Sequence, residues 1–288
     1  MQRKIVSFVS LLITALLTGC ASNETSLANL PSPATILSEE INTLFSLEDG
    51  LYFAKEDDFN EEGWKNILSF QIENSKLMDI SFNAVNESAA STKKELFLAG
   101  ISPSNSENNE EIDSWYEQIQ LLESYFLYHQ IADYNAILAP THTDELLSNL
   151  TLDIEPLVYL IEKALSEGPI ELGPYIDGYY YAEQEESDNG FKYFIRLFVQ
   201  NGYIIAVHWN GLHEDGISLM TDLNSEVTWS EQATRLKKFL IEIQDPMLMT
   251  FNEENKTDDV FGVSIEVNDF IELVVESLAN GPIIKNEN

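Results

Sequence analysis

An α+β fold, in two tandem copies of one domain, is predicted by three observations. Landmarks recur in order: Asp49-Gly50-Leu51-Tyr52 as Asp177-Gly178-Tyr179-Tyr180, Gly63-Trp64-Lys65 as Gly190-Phe191-Lys192, Trp115-Tyr116-Glu117-Gln118 as Trp229-Ser230-Glu231-Gln232, and Gly168-Pro169-Ile170 as Gly281-Pro282-Ile283. Within each copy, segments of strand composition come first and apolar residues at helical spacing come after, which predicts an antiparallel sheet with helices packed on one side. Apolar residues make up 44 % of the chain, enough to fill a core in each copy and too many for a disordered chain. The spacing between partners is 128 residues at Asp49, 127 at Gly63, 114 at Trp115 and 113 at Gly168, so one insertion between Asn83 and Trp115 accounts for most of the drift.

Arg3 and Lys4 precede an apolar run from Ile5 to Leu17. It is short of the roughly 20 residues of a membrane span but suits the h-region of a secretory signal. The run ends at Leu17-Thr18-Gly19-Cys20, which resembles the lipobox of bacterial lipoproteins. That resemblance implies a signal peptide over residues 1–19, cleavage before Cys20 and acylation of Cys20, with membrane lipid as a partner. Several acyl chains, at about 0.8 kcal/mol per buried methylene, hold a protein stably where one chain is marginal. Residues 20–37, rich in Ser, Asn, Thr and Pro, read as a tether; the first domain is expected over 38–169 and the second over 170–288.

In the first copy Leu51 to Phe53 and Ile67 to Ile72 have strand composition around a turn containing Asn60 and Gly63, and Leu77 to Phe82 follows. The second copy has Tyr179 to Ala182 and Phe194 to Val199 around Asp188-Asn189-Gly190, then Tyr203 to Trp209 after the Asn201-Gly202 hairpin turn. Helices are expected from Trp115 to Ile131 and from Trp229 to Ile243, where Trp115, Ile119, Leu122, Phe126 and Trp229, Ala233, Leu236, Leu240 fall at helical spacing. A last helix is expected from Glu155 to Leu165 and from Glu266 to Leu278.

Cleavage before Cys20 takes the formal charge from −34 to −36 by removing Arg3 and Lys4. Such a surface repels phosphate backbones, so nucleic acid is excluded as a partner. The acidity reads as a solvated shell, with a gathering of divalent cations as the less economical reading. Cys20 is the single cysteine, which rules out an intrachain disulfide, a CxxCH haem attachment and a thiolate metal site. Any redox role therefore needs an organic cofactor.

The lipobox, the tether and two domains, each opening on Asp-Gly-x-Tyr and passing through Gly-Trp-Lys or Gly-Phe-Lys to a long Trp-containing helix, resemble the FMN-binding domain lipoproteins of bacterial extracellular electron transfer. The resemblance covers nearly all of the mature chain. In that family a flavin transferase joins the FMN phosphate to the threonine of Asp-x-x-Ser/Thr-Gly-Ala-Thr, ahead of the final helical segment. The second copy has Asp258-Asp259-Val260-Phe261-Gly262-Val263-Ser264, which implies Ser264 as acceptor, Gly262 for close approach of the phosphate, and Asp258 to organise the loop. Phe261, Val263 and Ser264 depart from the family's Ser/Thr, Ala and Thr. In the first copy Asn135-Ala136-Ile137-Leu138-Ala139-Pro140-Thr141 keeps only the acceptor, Thr141. The resemblance further implies a membrane quinone-linked redox donor, a place on the extracytoplasmic face of a bacterial membrane, and a carrier of electrons more than an enzyme. The acidic field would lower the potential of such a flavin by disfavouring its reduced anion.

Taken alone, the residues favour plainer readings. Ser264 and Thr141 read as helix N-caps, because Glu266, and Asp144 with Glu145, would sit in the first helical turn and compete with a phosphate for the helix dipole. Trp115 and Trp229 read as core, while Trp64, Trp209, Phe82 and Phe191 could stack on an isoalloxazine ring. The alternative function is a flavin-free lipoprotein of the same fold that binds a ligand or partner. No Gly-x-Ser-x-Gly elbow is present, and His129, His142, His208 and His213 lack HExxH spacing. Asp58, Asn60, Glu62 and Gly63 open like an EF-hand loop, but the twelfth position is Ser69 instead of an acid.

Overall fold

Two β-meanders, each followed by helices, set the architecture. The computed structural model describes residues 47–101, 110–130, 150–185, 190–221 and 228–283, all within one unit, Glu40–Asn288. In the first copy β1 (Gly50–Lys55), β2 (Trp64–Glu73) and β3 (Lys76–Asn86) pair antiparallel in that order, and α1 (Lys93–Leu98), α2 (Glu110–His129) and α3 (Glu155–Glu167) follow. In the second, β4 (Gly178–Glu183), β5 (Phe191–Gln200) and β6 (Tyr203–His213) form the same meander ahead of α4 (Trp229–Ile243) and α5 (Asn268–Asn280). A register shift falls at Gln71/Ile72 in one sheet and at the equivalent Phe198/Val199 in the other, so the duplication extends to the bulge.

The repeated landmarks hold the meander together. The Asp49 carboxylate accepts the backbone N–H of Asn74 and of Ser75, each at 2.9 Å, across the β2–β3 tip, and Asp177 accepts that of Gly202 at 2.7 Å across the β5–β6 tip. Those hydrogen bonds lower the Asp49 pKa. The Tyr52 hydroxyl donates to the Glu48 carbonyl at 2.9 Å and Tyr180 to that of Ile176 at 2.5 Å, closing the same short loop twice. Each Gly-Pro-Ile returns to the first strand: Ile170 N–H donates to Leu51 O at 2.7 Å and Ile283 N–H to Tyr179 O at 2.6 Å. The proline ring lies so close that a Cβ on Gly50 would stand 2.6 Å from Pro169 Cβ, and one on Gly178 2.8 Å from Pro282 Cβ.

One face of each sheet carries helices. Tyr52, Leu68, Phe70 and Phe82 pack on Ile119 and Phe126 of α2 and on Leu160 and Ile161 of α3. In the second copy Tyr180, Leu197, Val207 and Trp209 pack on Leu236 and Leu240 of α4 and Phe270 and Val274 of α5. The opposite faces meet each other: Phe53, Ile67 and Val85 share a buried cluster with Tyr179, Phe198 and Ile205. The layers therefore run helices, sheet, sheet, helices. Burial, together with the Glu95 carboxylate that accepts the Tyr179 hydroxyl across this seam, pushes the Tyr179 phenol up.

Boundaries differ from expectation in physically explicable places. α4 starts where expected because Thr228 and Glu231 form a reciprocal capping box. α1, between β3 and α2, has its own box from Thr92 and Glu95. α5 begins at Asn268, after Val267, so Glu266 precedes the helix and Asp269 is the acid of its first turn.

Candidate functional site

Ser264 is not the cap of α5. It lies three residues before Val267, whose side chain caps nothing. What holds it is Gln232 of α4: the buried amide oxygen accepts Ser264 N–H at 2.7 Å, Ser264 Oγ–H at 3.2 Å and Ile265 N–H at 3.2 Å. The N-cap reading of Ser264 is thereby corrected; a long-range amide does the work that a local cap would do. Ser264 itself is exposed.

Beside it opens a cavity of about 330 Å³ lined by Tyr193, Trp229, Lys256, Ser264, Glu266 and Asp269, among others. Its aromatic side belongs to a cluster centred on Trp209, whose ring lies 4.6 Å from Trp229, 5.1 Å from Phe270 and 5.8 Å from Tyr193. The buried Trp209 indole N–H has no hydrogen-bond partner among the described residues. Trp229 is thus both a core neighbour and a cavity wall. Lys256 brings a cation, held 3.5 Å from Glu254.

The other predicted loop residues, Gly262 and Asp258, have these surroundings. Gly262 has φ +77°, and a Cβ there would meet Arg235 Nη1 at 1.8 Å. Arg235 approaches closely there, and its Nη1 donates to the Gly262 carbonyl at 3.0 Å. Asp258 is exposed, and the carboxylate that ties the loop is that of Asp259, which accepts Thr250 N–H at 2.6 Å and Oγ1–H at 2.9 Å. Phe261, in the family's Ser/Thr position, is 98 % exposed.

Cys20 and Thr141 lie outside the described residues. The structural counterpart of Ser264 in the first copy is Thr151, which sequence comparison passes over. Gln118 accepts Thr151 N–H and Leu152 N–H, both at 2.8 Å, as Gln232 does in the second copy. The signal was available: the 113-residue offset at Gly168 and Gly281 also relates Thr151 to Ser264 and Glu145-Leu146-Leu147-Ser148-Asn149-Leu150-Thr151 to the segment ending at Ser264. The aromatic cluster is not duplicated. At the positions of Tyr193, Trp209 and Phe270 the first copy has Asn66, Phe82 and Leu157.

Residues weighed for other chemistries are accounted for locally. Asn60 Oδ1 accepts the N–H of Glu62 and of Trp64, at 3.1 and 2.9 Å, so the calcium-like stretch is a turn. Burial, then the charges of Lys237 and Arg196, push the His208 imidazole down to about 4. His213 Nδ1 accepts the Asp215 backbone N–H at 3.2 Å and His129 packs 4.2 Å from the Tyr125 ring, while His142 lies outside the described residues. Among the described residues no group of His, Cys, Asp and Glu side chains is gathered to hold a metal ion, and no helix is long and apolar enough to cross a membrane.

No protein-family model and no curated protein matches the chain. Two solved structures, both structural-genomics targets, are similar to part of it. A Clostridium thermocellum protein determined by solution NMR is 28 % identical over 39 % of this chain and 96 % of its own, with a TM-score of 0.33. A Clostridium perfringens protein determined by crystallography is 24 % identical over 37 % of this chain and 88 % of its own, with a TM-score of 0.31. At those TM-scores neither likeness bears on function.

Proposed function

We propose that the chain is a lipid-anchored envelope protein of two FMN-binding-like domains that carries electrons on covalently held FMN. The observation that supports it most is the Ser264 hydroxyl at the mouth of an aromatic-walled cavity. The residues fit the group in three respects. Tyr193 and Trp229 line the cavity with aromatic surface suited to a planar heterocycle, Lys256 offers charge to a phosphate, and Gln232 fixes the backbone of the acceptor. The carboxylates of Glu266 and Asp269 on the same wall oppose an anion, so the phosphate would sit on the Lys256 side.

FMN, when bound, supplies the redox chemistry; the protein positions it and sets its field. Gln232 orients the Ser264 hydroxyl for esterification by a flavin transferase, and the aromatic cluster keeps water from one face of the cavity. The acceptor in the first copy is Thr151, in place of Thr141, because Thr151 has the Gln118 clamp. A membrane redox donor and acylated Cys20 complete the proposal. The flavin-free alternative draws on the first copy, where Asn66, Phe82 and Leu157 replace the aromatic cluster.

Intact mass and visible absorption of the mature chain, produced with a flavin transferase, test this reading. One FMN lost in Ser264→Ala, a second lost in Thr151→Ala and none lost in Thr141→Ala is the expected pattern. An unmodified, colourless parent protein favours the flavin-free binding lipoprotein instead.

A further inference from the structure

A chain of formal charge −34 places four of its 15 basic side chains, Lys55, Lys65, Lys237 and Lys238, around one cleft between its two copies. The cleft holds about 440 Å³, within the roughly 300–1,000 Å³ of small-molecule sites. Lys55 ends β1, Lys65 follows the first residue of β2, and Lys237 and Lys238 lie on α4 of the other copy.

Lys65 is 2 % exposed. Its ammonium lies 4.4 Å from the centroid of the Phe59 ring. Lys238 is paired with Asp58, and Asp57 with Lys163 at 3.0 Å. Among the described residues no carboxylate stands within ion-pair distance of Lys55, Lys65 or Lys237. The lining carries four lysines and four acids, Asp57, Asp58, Glu87 and Glu242, so the cleft is formally neutral where the chain as a whole is strongly negative, and three of its ammonium groups stand outside any ion pair among the described residues. Burial first, then the neighbouring Lys55, brings the Lys65 pKa down to about 8, and burial lowers Lys55 and Lys237 as well.

The duplication supplies an internal control. Lys192 occupies the repeated position of Lys65 in the second copy, yet it reaches solvent and pairs with Glu183 at 2.9 Å. A cation buried without a carboxylate is costly unless a counter-ion completes it. Val207, Met220 and Ile241 give the rest of the cleft an apolar wall beside Phe59.

We infer that the cleft is a binding site for a small organic anion, its carboxylate or phosphate seated among Lys55, Lys65 and Lys237 and its apolar body against Phe59, Val207 and Ile241. The inference is independent of flavin, whose proposed site is built from β5, α4 and the loop before α5.

Calorimetric titration of the full chain with phenyl phosphate and with benzoate, at low salt, tests it, with benzamide as the uncharged control. The expected result is saturable binding of at least one anion with a Kd below about 1 mM and no comparable binding of benzamide. Lys65→Met and Lys237→Met should each weaken that binding about tenfold or more, and Lys192→Met should leave it unchanged. Preference for phenyl phosphate assigns a phosphate ligand, and preference for benzoate a carboxylate. Absence of binding by both anions, benzamide binding as tightly as the anions, or an affinity unaltered in both cleft variants would overturn the inference. Circular dichroism confirms that each variant is folded, and Lys237→Met carries the test where Lys65→Met does not fold.

Discussion

Replacing Lys65 by Met should stabilise this protein, against the usual expectation for a buried position. The side chain is 2 % exposed and its pKa falls from the ordinary 10.5 to about 8, chiefly through burial. At 1.36 kcal/mol per unit, that drop corresponds to about 3 kcal/mol of folding free energy spent on keeping the ammonium charged inside. Below about pH 8 both the folded and the unfolded chain carry the proton, and the whole cost is present. Between about pH 8 and 10.5 the unfolded chain keeps a proton that the folded one has released, so stability rises with pH; above that window the cost is gone. Methionine keeps an unbranched stem of similar length without the charge, at the loss of the Phe59 contact. Urea unfolding near pH 7 should therefore show Lys65→Met more stable by about 2–3 kcal/mol, and the two curves should converge toward pH 10. A variant less stable than its parent near pH 7, or a difference that stays flat as pH rises, would refute the reasoning, because either outcome means that Lys65 is not a desolvated, unpaired cation.

Three other substitutions test separate joints. His208, held down to about 4 by burial and by Lys237 and Arg196, leaves the unfolded state the better proton binder from about pH 6.5 to 4, so stability falls as pH falls through that window; His208→Gln should flatten this limb of the unfolding free energy against pH, from urea unfolding, by about 3 kcal/mol. Gln232→Leu removes the acceptor shared by Ser264 N–H and Ile265 N–H and should cost about 1–3 kcal/mol in urea unfolding, with faster amide exchange at those two residues as its specific signature. Gly178→Ala puts a Cβ 2.8 Å from Pro282 Cβ at φ +143° and should lower stability by about 1–3 kcal/mol, while Gly216→Ala, also at positive φ but with open space around it, should cost less.

Much of the fold was legible in the sequence, and the reasons are local. α4 matches its expected bounds because the Thr228-Glu231 capping box fixes its start and Trp229, Ala233, Leu236 and Leu240 repeat at helical spacing. The strands of both meanders were readable from composition and from the Asn201-Gly202 turn, where both residues have positive φ. The meeting of the two sheets was not foreseen, although its trace is in the chain. Ile204, Ile205, Ala206 and Val207 form an unbroken apolar run, the mark of a strand buried on both faces, as β6 proves to be. α1, with six residues, is too short for periodicity to reveal. The local signal at Ser264 points to a cap, whereas its partner, Gln232, stands 32 residues away. Matching the motif by residue type points to Thr141, which lies outside the described residues, whereas the spacing of the repeat points to Thr151, which has the clamp from Gln118.

What is duplicated here and what is not divide along a physical line. Asp49 and Asp177 close hairpin tips, Pro169 and Pro282 cover the first strand, and Gln118 and Gln232 clamp the loop before the last helix; each repeated residue answers a backbone need that both copies share. Some positions that face cavities diverge. Tyr193 stands where the first copy has Asn66, and Lys65 is buried where Lys192 reaches solvent. A pairing of Lys65 with a carboxylate, as at Lys192, would have removed the cost of burying it, yet the cleft keeps it unpaired beside Lys55 and Lys237. Stability alone gives no reason for that arrangement, since a methionine would serve better. Either a requirement other than folding acts on the cleft or the charge is a tolerated flaw, and the anion titration together with Lys65→Met separates the two. If the substitution raises stability and weakens anion binding about tenfold or more, the charge is kept for the ligand; if it raises stability and binding is unchanged, Lys65 is a tolerated flaw in the seam between two sheets.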